Sequence, residues 1–418
     1  MAYRFLIKSI SKNLLLIAIS VFISLLVIEF ILWNVLPPIK VGVGTTATPK
    51  AKIYGWAPPP RSRIQFINPD TDEIINFYTN SQGWKDVEHS FEKPEGVVRI
   101  LFLGDSITWG FVAIDDLYTR KVELLFKRLG FDNIEVITIG VGGWSTDQAL
   151  EALSREGIKY QPDIVIYQFC ANDIEEILFP YEKGISTKLH NNKVFKYKMI
   201  DGKLEKINLY PKTKKVSETS KIRSFFNKSA LVWHAIRLKN RLMISLQRVD
   251  EEKVKGFSKE EMAKIKFQWG PFLMNPQGVY RHSSFNHSKE SLSAWDLFEV
   301  LSIKMKQISE KIDADFLIFS ESGENGLRIF SERWNLIEQV GGVDRSVWKG
   351  QEYLIDLKRP LRDLKEVCER NKISLIEPRR QYQRYNFDPH PNKVGNASMA
   401  EDIVDFLLNW EPFLRKIR

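Results

Sequence analysis

The chain of 418 residues is 44% hydrophobic and 27% charged, a balance that excludes an intrinsically disordered protein and allows a full hydrophobic core. Its two cysteines, Cys170 and Cys368, exclude a disulfide framework and a cysteine-rich metal site, and its six histidines form no H-E-x-x-H pattern. The net charge of +9 is modest for this length but is concentrated in one part of the chain.

The first element is an apolar stretch at residues 14–36, which is long enough to cross a bilayer as a helix. No small-residue cleavage site follows it, which favours an uncleaved anchor over the alternative, a cleaved signal peptide. The short segment 1–13 before a single span favours an orientation with the long C-terminal part outside the cytoplasm. Glu29 lies inside the span and is costly in hydrocarbon, so we expect it to face a partner helix or water. The sequence therefore predicts a single-pass membrane protein whose main domain is periplasmic or at the cell surface.

Residues 37–63 are rich in Pro, Gly, Thr and Ala, which is typical of a tether, and residues 64–418 are predicted to form the main domain. After Pro94, short apolar runs alternate with helical patterns, which indicates a parallel sheet covered by helices on both faces. Strands are predicted at Val98–Leu103, Ile134–Ile139, Ile164–Phe169, Phe316–Phe319 and Ile373–Ile376. Helices are predicted at Tyr118–Leu129, Thr146–Glu156, Leu292–Ile312, Tyr353–Asn371 and Lys393–Leu408.

An insertion at residues 174–291 interrupts this alternation after the third strand. Between Tyr181 and Arg248 there are 17 Lys or Arg and 4 Asp or Glu residues, a net charge of +13. This charge suggests an anionic partner, either lipid headgroups or an acidic polysaccharide, with a solvated lysine-rich surface as the alternative. Nucleic acid is not predicted as a partner for a protein tethered outside the cell. An amphipathic helix from Leu231 to Leu246 is expected to pack on the domain as a lid rather than to lie in a membrane.

The run "RILFLGDSITWGF" places Ser106 just after the first predicted strand of the sheet. Open α/β folds carry their chemistry at this edge, so Ser106 is either a nucleophile or an ordinary polar residue of a turn. Thr108 stands where the G-x-S-x-G elbow of α/β-hydrolases requires its second glycine, which excludes that motif. The P-loop is also excluded, because its lysine is missing.

Three further segments add polar groups at the same predicted edge. "GVGGWST" follows the second strand and contains Gly143, "FCAND" ends the third strand and contains Asn172, and "FDPHPN" precedes the last helix and contains Asp388 and His390. A serine, a flexible glycine, an amide donor and a histidine with an acid form a combination suited to nucleophilic catalysis.

These four segments resemble the four blocks of the SGNH (GDSL-type) hydrolase family, in the same order. The resemblance covers about residues 98–408 without the insertion, and "TNSQGWKD" together with the apolar anchor resembles the envelope-anchored branch of the family. It implies a three-layer α/β/α sandwich with a parallel, five-stranded, flavodoxin-like sheet. The implied chemistry is ester hydrolysis or acyl transfer.

The resemblance also implies a role for each site residue. Ser106 matches the nucleophile, His390 the base and Asp388 the acid that orients it, while the oxyanion hole would comprise the Ser106 N–H, the Gly143 N–H and the Asn172 amide. The commonest family pattern is D-x-x-H, whereas Asp388 lies only two residues before His390. Asp388 must therefore reach the imidazole through a loop, or the site is a Ser–His dyad oriented by a backbone carbonyl.

Three functions follow as hypotheses. The first is a membrane-anchored serine esterase that removes acyl groups, O-acetyl groups above all, from a glycan or lipid of the cell envelope. The second is an O-acyltransferase that uses the same residues to modify an extracytoplasmic polysaccharide. The third is a catalytically silent envelope-binding protein. No metal and no organic cofactor is predicted for any of them.

Overall fold

The computed structural model describes residues 2–35, 48–178 except 69 and 72, 192–209, parts of 229–239, 289–321, 338–340, 343–348, and 351–418 except 387. The chain divides into two compact units. One contains residues 1–40 and 212–249, and the other contains residues 41–211 and 250–418.

The strands are β1 Arg63–Ile67, β2 Ile74–Tyr78, β3 Val98–Gly104, β4 Ile134–Gly140, β5 Ile164–Phe169, β6 Phe195–Ile200, β7 Lys203–Asn208, β8 Asp315–Ser320, β9 Glu338–Val340, β10 Val343–Trp348, β11 Gln351–Ile355 and β12 Ser374–Ile376. The helices are α1 Ala2–Val35, α2 Ala51–Tyr54, α3 Ser106–Trp109, α4 Tyr118–Arg128, α5 Thr146–Arg155, α6 Asp173–Glu176, α7 Lys289–Glu310, α8 Arg359–Arg370, α9 Lys393–Leu407 and α10 Glu411–Ile417.

The first unit contains α1, a helix of 34 residues. Its last 20 residues, Leu16–Val35, have a mean hydropathy of 2.6, and within the described residues this is the one helix with the length and apolarity of a membrane span or a signal sequence. The amphipathic helix predicted from Leu231 also belongs to this unit and is described only at residues 230–232, 234, 235, 238 and 239.

The second unit is built on five parallel strands in the order β12–β8–β5–β3–β4, which confirms the predicted sheet. From β3 the chain moves to β4 on one side and then returns to β5 on the other side. The carboxyl end of β3 is therefore a topological switch point, the place where open α/β sheets usually bind their ligands.

Side chains alternate between two apolar cores because successive residues of a strand point to opposite faces. In β3, Leu101 and Leu103 lie in the core beneath α5, α7 and α8, while Ile100 and Phe102 lie in the core beneath α4, α9 and α10. Every residue of β3 is buried, as expected for a sheet covered on both faces. The fold is the predicted three-layer α/β/α sandwich.

The predicted helix Tyr353–Asn371 is wrong in its first part. Residues up to Ile355 form β11, which pairs antiparallel with β10, and the helix begins only at Arg359. Pro360 occupies the first turn, where its missing N–H is tolerated, so it marks the start of the helix rather than its interior.

Part of the predicted tether is folded onto the domain. Tyr54 and Trp56 are fully buried in the core, and the Tyr54 ring lies 4.9 Å from that of Trp144. The Pro- and Gly-rich composition suggested a solvated linker. Burial of these two aromatic side chains instead stabilises a conformation that is packed on the domain. Residues 37–47 lie outside the described part, and the boundaries of the tether and of the insertion remain predictions.

The described part of the insertion includes the hairpin β6–β7, which lies on α5. Glu151 of α5 accepts a hydrogen bond of 2.5 Å from the Tyr197 hydroxyl and pairs with Lys206 at 2.6 Å. This acidic residue thus fixes part of the basic insertion to the helical layer.

Candidate active site

Ser106 lies at the carboxyl end of β3, where it begins the one-turn helix α3. The Asp105 side chain caps this helix by accepting the Ile107 N–H at 2.9 Å. A Cβ on Gly104 would lie 2.2 Å from Thr108 Oγ1, so glycine is required for the close approach of α3 to the strand. The G-D-S order therefore has a local cause: glycine permits the packing, aspartate caps the helix and serine is its first residue.

Thr108 has a structural role that explains the missing second glycine. It is buried, its hydroxyl donates to Gln168 Oε1 at 3.0 Å, and it lies 2.9 Å from the Tyr118 hydroxyl. A Cβ at Gly140, at the end of β4, would meet Thr108 at 2.6 Å. Thr108 thus locks α3 against the two neighbouring strands.

The structure brings Ser106, His390 and Asp388 together, although 284 residues separate the first two in sequence. His390 Nε2 lies 2.9 Å from Ser106 Oγ, and His390 Nδ1 lies 2.5 Å from Asp388 Oδ1. The same Asp388 oxygen accepts the His390 backbone N–H at 2.9 Å. The Asp388 carboxylate reaches the imidazole from only two residues away because the chain turns tightly around it. A backbone carbonyl is therefore not needed to orient the ring.

The two other predicted donors, Gly143 and Asn172, lie in the loops that follow β4 and β5, the strands on either side of β3. Gly143 follows β4 with a φ of +76°, a left-handed conformation that favours glycine. Asn172 follows β5, and its side-chain amide lies 3.4 Å from the Asp105 carboxylate, directly beside Ser106. All five predicted site residues thus lie at one edge of the sheet.

Trp56 fixes the Gly143 loop and was missed by the sequence reading. Its indole N–H donates to the Gly142 carbonyl at 3.1 Å, and its own carbonyl accepts the Trp144 indole N–H at 3.1 Å. Both tryptophans are buried. The peptide on either side of Gly143 is therefore braced from the segment that the composition assigned to a tether.

Phe111 packs against the imidazole of His390, with 4.3 Å between the ring centroids. The carbonyls around it are all engaged: the Tyr385 hydroxyl donates to Phe111 O at 2.7 Å, and Lys85 Nζ donates to Gly110 O at 2.8 Å and to Val112 O at 2.6 Å. Burial lowers the pKa of Lys85 well below its ordinary value. The segment "TNSQGWKD" therefore contributes a lysine that holds the wall of the site.

A buried ion pair holds the loop that carries Asp388 and His390. The Arg384 guanidinium bonds both the carboxylate of Glu321 and the carbonyl of Pro389, which lies between Asp388 and His390. Glu321 directly follows β8 at the same sheet edge, so its position after the fourth strand was a signal that the sequence reading did not use.

Burial dominates the electrostatics beside Ser106. Burial, together with the nearby Glu176 carboxylate, raises the pKa of Asp105 to about 7, against the hydrogen bond from the Ile107 N–H. Burial, and then the charge of Asp105, raise the pKa of the Cys170 thiol well above its usual range. Cys170 is therefore a packed thiol and not a second nucleophile. Among the described residues, no group of three His, Cys, Asp or Glu side chains could hold a metal ion.

Comparisons with solved structures give distant matches. An acetyl xylan esterase matches at 13% identity over 74% of this chain and 99% of its own, with a TM-score of 0.35. An acetylxylan esterase from Geobacillus stearothermophilus, solved as a catalytic mutant, matches at 11% identity over 78% and 96%, with a TM-score of 0.34. The lipase/acylhydrolase from Enterococcus faecalis matches at 13% identity over 75% and 96%, with a TM-score of 0.33. TM-scores this low give no support for any particular substrate.

No curated protein sequence matches this chain. The model of the GDSL-like Lipase/Acylhydrolase family matches residues 102–190, the stretch that contains Ser106, Gly143 and Asn172. This part of the chain, 89 of its 418 residues, is therefore similar to GDSL-like acylhydrolases, and the likeness supports an ester-hydrolysing enzyme.

Proposed function

We propose that this protein is a membrane-anchored serine esterase that removes acyl groups, O-acetyl groups above all, from a glycan or lipid of the cell envelope. The observation that carries the proposal is the continuous chain of contacts from Ser106 Oγ to His390 Nε2 at 2.9 Å and from His390 Nδ1 to Asp388 at 2.5 Å. A serine hydroxyl is a weak nucleophile unless a neighbouring base takes its proton, and this geometry supplies that base.

In the first half of the reaction, Ser106 Oγ attacks the ester carbonyl while its proton passes to His390 Nε2. Asp388 stabilises the resulting imidazolium through Nδ1. Collapse of the tetrahedral intermediate breaks the bond to the alcohol oxygen, which leaves with the proton from His390. In the second half, His390 takes a proton from water, the resulting hydroxide attacks the acyl-enzyme, and the carboxylic acid leaves as Ser106 regains its proton.

The negative oxygen of each tetrahedral intermediate would accept hydrogen bonds from the Ser106 N–H, the Gly143 N–H and the Asn172 amide. The φ of +76° at Gly143 and the contact between Asn172 and Asp105 support this assignment, because both groups lie in loops that flank Ser106. Loss of one such donor typically lowers turnover by about 10²–10³-fold.

The membrane location of this proposal rests on α1. Its 20 apolar residues, Leu16–Val35, are long enough to span a bilayer. The segment between residues 181 and 248, with its net charge of +13, would attract anionic lipid headgroups or an acidic polymer. Acylated envelope molecules are substrates that such an anchored domain would meet.

A fluorophosphonate probe applied to the full chain in detergent tests the nucleophile. We expect covalent labelling of the wild type, no labelling of Ser106→Ala, and normal labelling of a matched variant, Ser90→Ala, at an exposed serine. Labelling that survives in Ser106→Ala would contradict the proposal.

Acetylated oligosaccharide and lipid substrates then separate the three hypotheses. Release of free acetate in the presence of an unacetylated acceptor indicates the esterase, and acetate found on the acceptor indicates the acyltransferase. Binding of an acidic glycan without turnover, and without labelling by the probe, would support the silent binding protein instead.

A further inference from the structure

Glu29 is the one acidic residue in the apolar part of α1, and its hydrogen bonds to described residues are within the first unit. Its carboxylate accepts the Trp33 indole N–H at 2.9 Å, four residues along the same helix. It also accepts the Ser229 hydroxyl at 2.8 Å, the Ala230 N–H at 2.7 Å and the Leu231 N–H at 2.9 Å. A residue of the predicted anchor thus binds a segment of the basic insertion 200 residues away.

These contacts cap the start of a second helix. The first N–H groups of a helix have no partner within the helix and need acceptors from elsewhere. Here Glu29 takes those of Ala230 and Leu231, and the Ser229 hydroxyl takes that of Val232 at 3.1 Å. The carboxylate and the free N–H groups are each costly in an apolar medium, and each satisfies the other.

The position of Glu29 gives the depth of this contact. It lies six residues before Val35, the last residue of the span, which corresponds to about 9 Å along a helix that rises 1.5 Å per residue. Trp33 lies between them, and tryptophan favours the boundary between lipid and water. The first turn of the second helix would therefore lie near the outer edge of the hydrocarbon layer.

The composition of the second helix suits that depth. The side chain of Leu238 is 59% exposed, and Leu231 and Val232 are only partly buried within the unit. Lys239 follows Leu238 and is exposed. A short helix with apolar side chains beside cations is typical of a helix in the membrane interface.

We propose that the helix beginning at Ala230 lies in the membrane interface, docked on the anchor at Glu29, with acyl chains against Leu238 and lipid phosphates near Lys239. The proposal rests on the membrane anchoring given under Proposed function. It replaces the expected lid with a lipid-facing element of the anchor.

The test places an environment-sensitive fluorophore on Leu238→Cys, in a background of Cys170→Ala and Cys368→Ala, with the full chain in phosphatidylcholine–phosphatidylglycerol vesicles. Quenching by lipids that carry a shallow quencher is expected at position 238. The matched control is Leu129→Cys in the other unit, where the native leucine is similarly exposed at 55%, and no quenching is expected. Equal quenching at the two positions would overturn the proposal.

Glu29→Ala tests the docking point. Loss of one hydrogen bond to a charged group typically changes an equilibrium constant by roughly tenfold or more. The ratio of docked to undocked helix should therefore fall at least about tenfold in Glu29→Ala. Glu29→Gln retains one acceptor oxygen and should give an intermediate value. Full quenching at position 238 in Glu29→Ala would show that Glu29 does not dock the helix and would overturn that part of the proposal.

Flotation of the vesicles separates this inference from the one on which it depends. If the chain does not float with the vesicles, the proposed anchoring has failed. If it floats and reacts with the fluorophosphonate probe, but position 238 is not quenched, only the interfacial helix is wrong.

Discussion

Ser106 and His390 meet at one hydrogen bond, but Ser106 is held by the central sheet and His390 by a loop. Ser106 directly follows β3, whose residues are all buried and which pairs with strands on both sides. The loop of His390 is fixed by a few separate contacts, such as the Tyr385 N–H donating to His390 O at 3.2 Å. Many small contacts hold Ser106 and a few polar contacts hold His390, so single substitutions should affect the loop of His390 more than the position of Ser106.

Asp388→Asn should give the largest effect. An asparagine amide cannot stabilise the imidazolium as the carboxylate does, and it favours the wrong imidazole tautomer, so we expect kcat to fall about 10⁴-fold. The measurement is steady-state hydrolysis of an activated acetate ester.

The matched control is Asp70→Asn. The Asp70 carboxylate accepts the backbone N–H of Asn386 at 2.8 Å in the same loop, and it also accepts the Asn386 side-chain amide at 3.2 Å. It should change kcat far less. If the kcat of Asp388→Asn stays within about tenfold of the wild-type value, the site works as a Ser–His dyad. The contrast between Ser106, held by the sheet, and His390, held by a loop, would then not predict the effects of substitutions.

Arg384→Met should have the next largest effect. It removes the donor to Pro389 O and leaves the Glu321 carboxylate buried without its guanidinium, which costs about 3–5 kcal/mol of stability. A displaced His390 should also lower kcat by about 10²-fold.

The double variant Arg384→Met, Glu321→Gln separates the two losses. It removes the buried charge that has lost its guanidinium and should recover much of the Tm, but it does not restore the bond to Pro389 and should keep the low kcat. Recovery of kcat together with Tm would show that Arg384 contributes only to stability.

Tyr385→Phe should have a smaller effect, since it removes only the hydrogen bond to Phe111 O. Such a bond is worth about 1 kcal/mol, so we expect kcat to fall about fivefold with KM unchanged. Tyr78→Phe, at an exposed tyrosine of β2, is the control and should leave kcat unchanged. An equal loss in both variants would contradict a specific role for the Phe111 contact.

The smallest expected effect on kcat is that of a substitution at His89, which should instead change the pH dependence of stability. Burial alone would lower the pKa of His89, but the carboxylates of Asp86 and Glu135, at 3.2 and 2.7 Å, raise it to about 9. Because this pKa is raised on folding, the stabilisation is complete below pH 6.5 and is lost as the pH rises through about 9.

His89→Gln should therefore flatten the decrease in the free energy of unfolding between pH 6.5 and about 9, measured by denaturant titration. It should leave kcat unchanged, since His89 contacts Asp86 and Glu135 and not the site. A variant that follows the same pH profile as the wild type would show that this ion pair does not contribute.

The sequence by itself was sufficient to predict the parallel sheet and the polar residues at the carboxyl ends of its strands. Short apolar runs that alternate with amphipathic helices bury both faces of a parallel sheet, and the carboxyl ends of such strands share one edge. Ser106, Gly143 and Asn172 could therefore be placed there before any coordinates were considered. Asp388 and His390, which precede the last helix, were predicted at the same edge, and the resemblance added the role of each residue.

The contacts that hold His390 in place could be seen only in the tertiary structure. Trp56, Phe111, Arg384 and Glu321 gave no periodic signal, and Tyr353 lies in a strand because it pairs with β10 rather than because of its own neighbours in sequence. The strands follow from hydrophobic periodicity, which is local in sequence. The loop of Asp388 and His390 depends on single hydrogen bonds and ring contacts between residues far apart in the chain, and these form only when the whole core has folded.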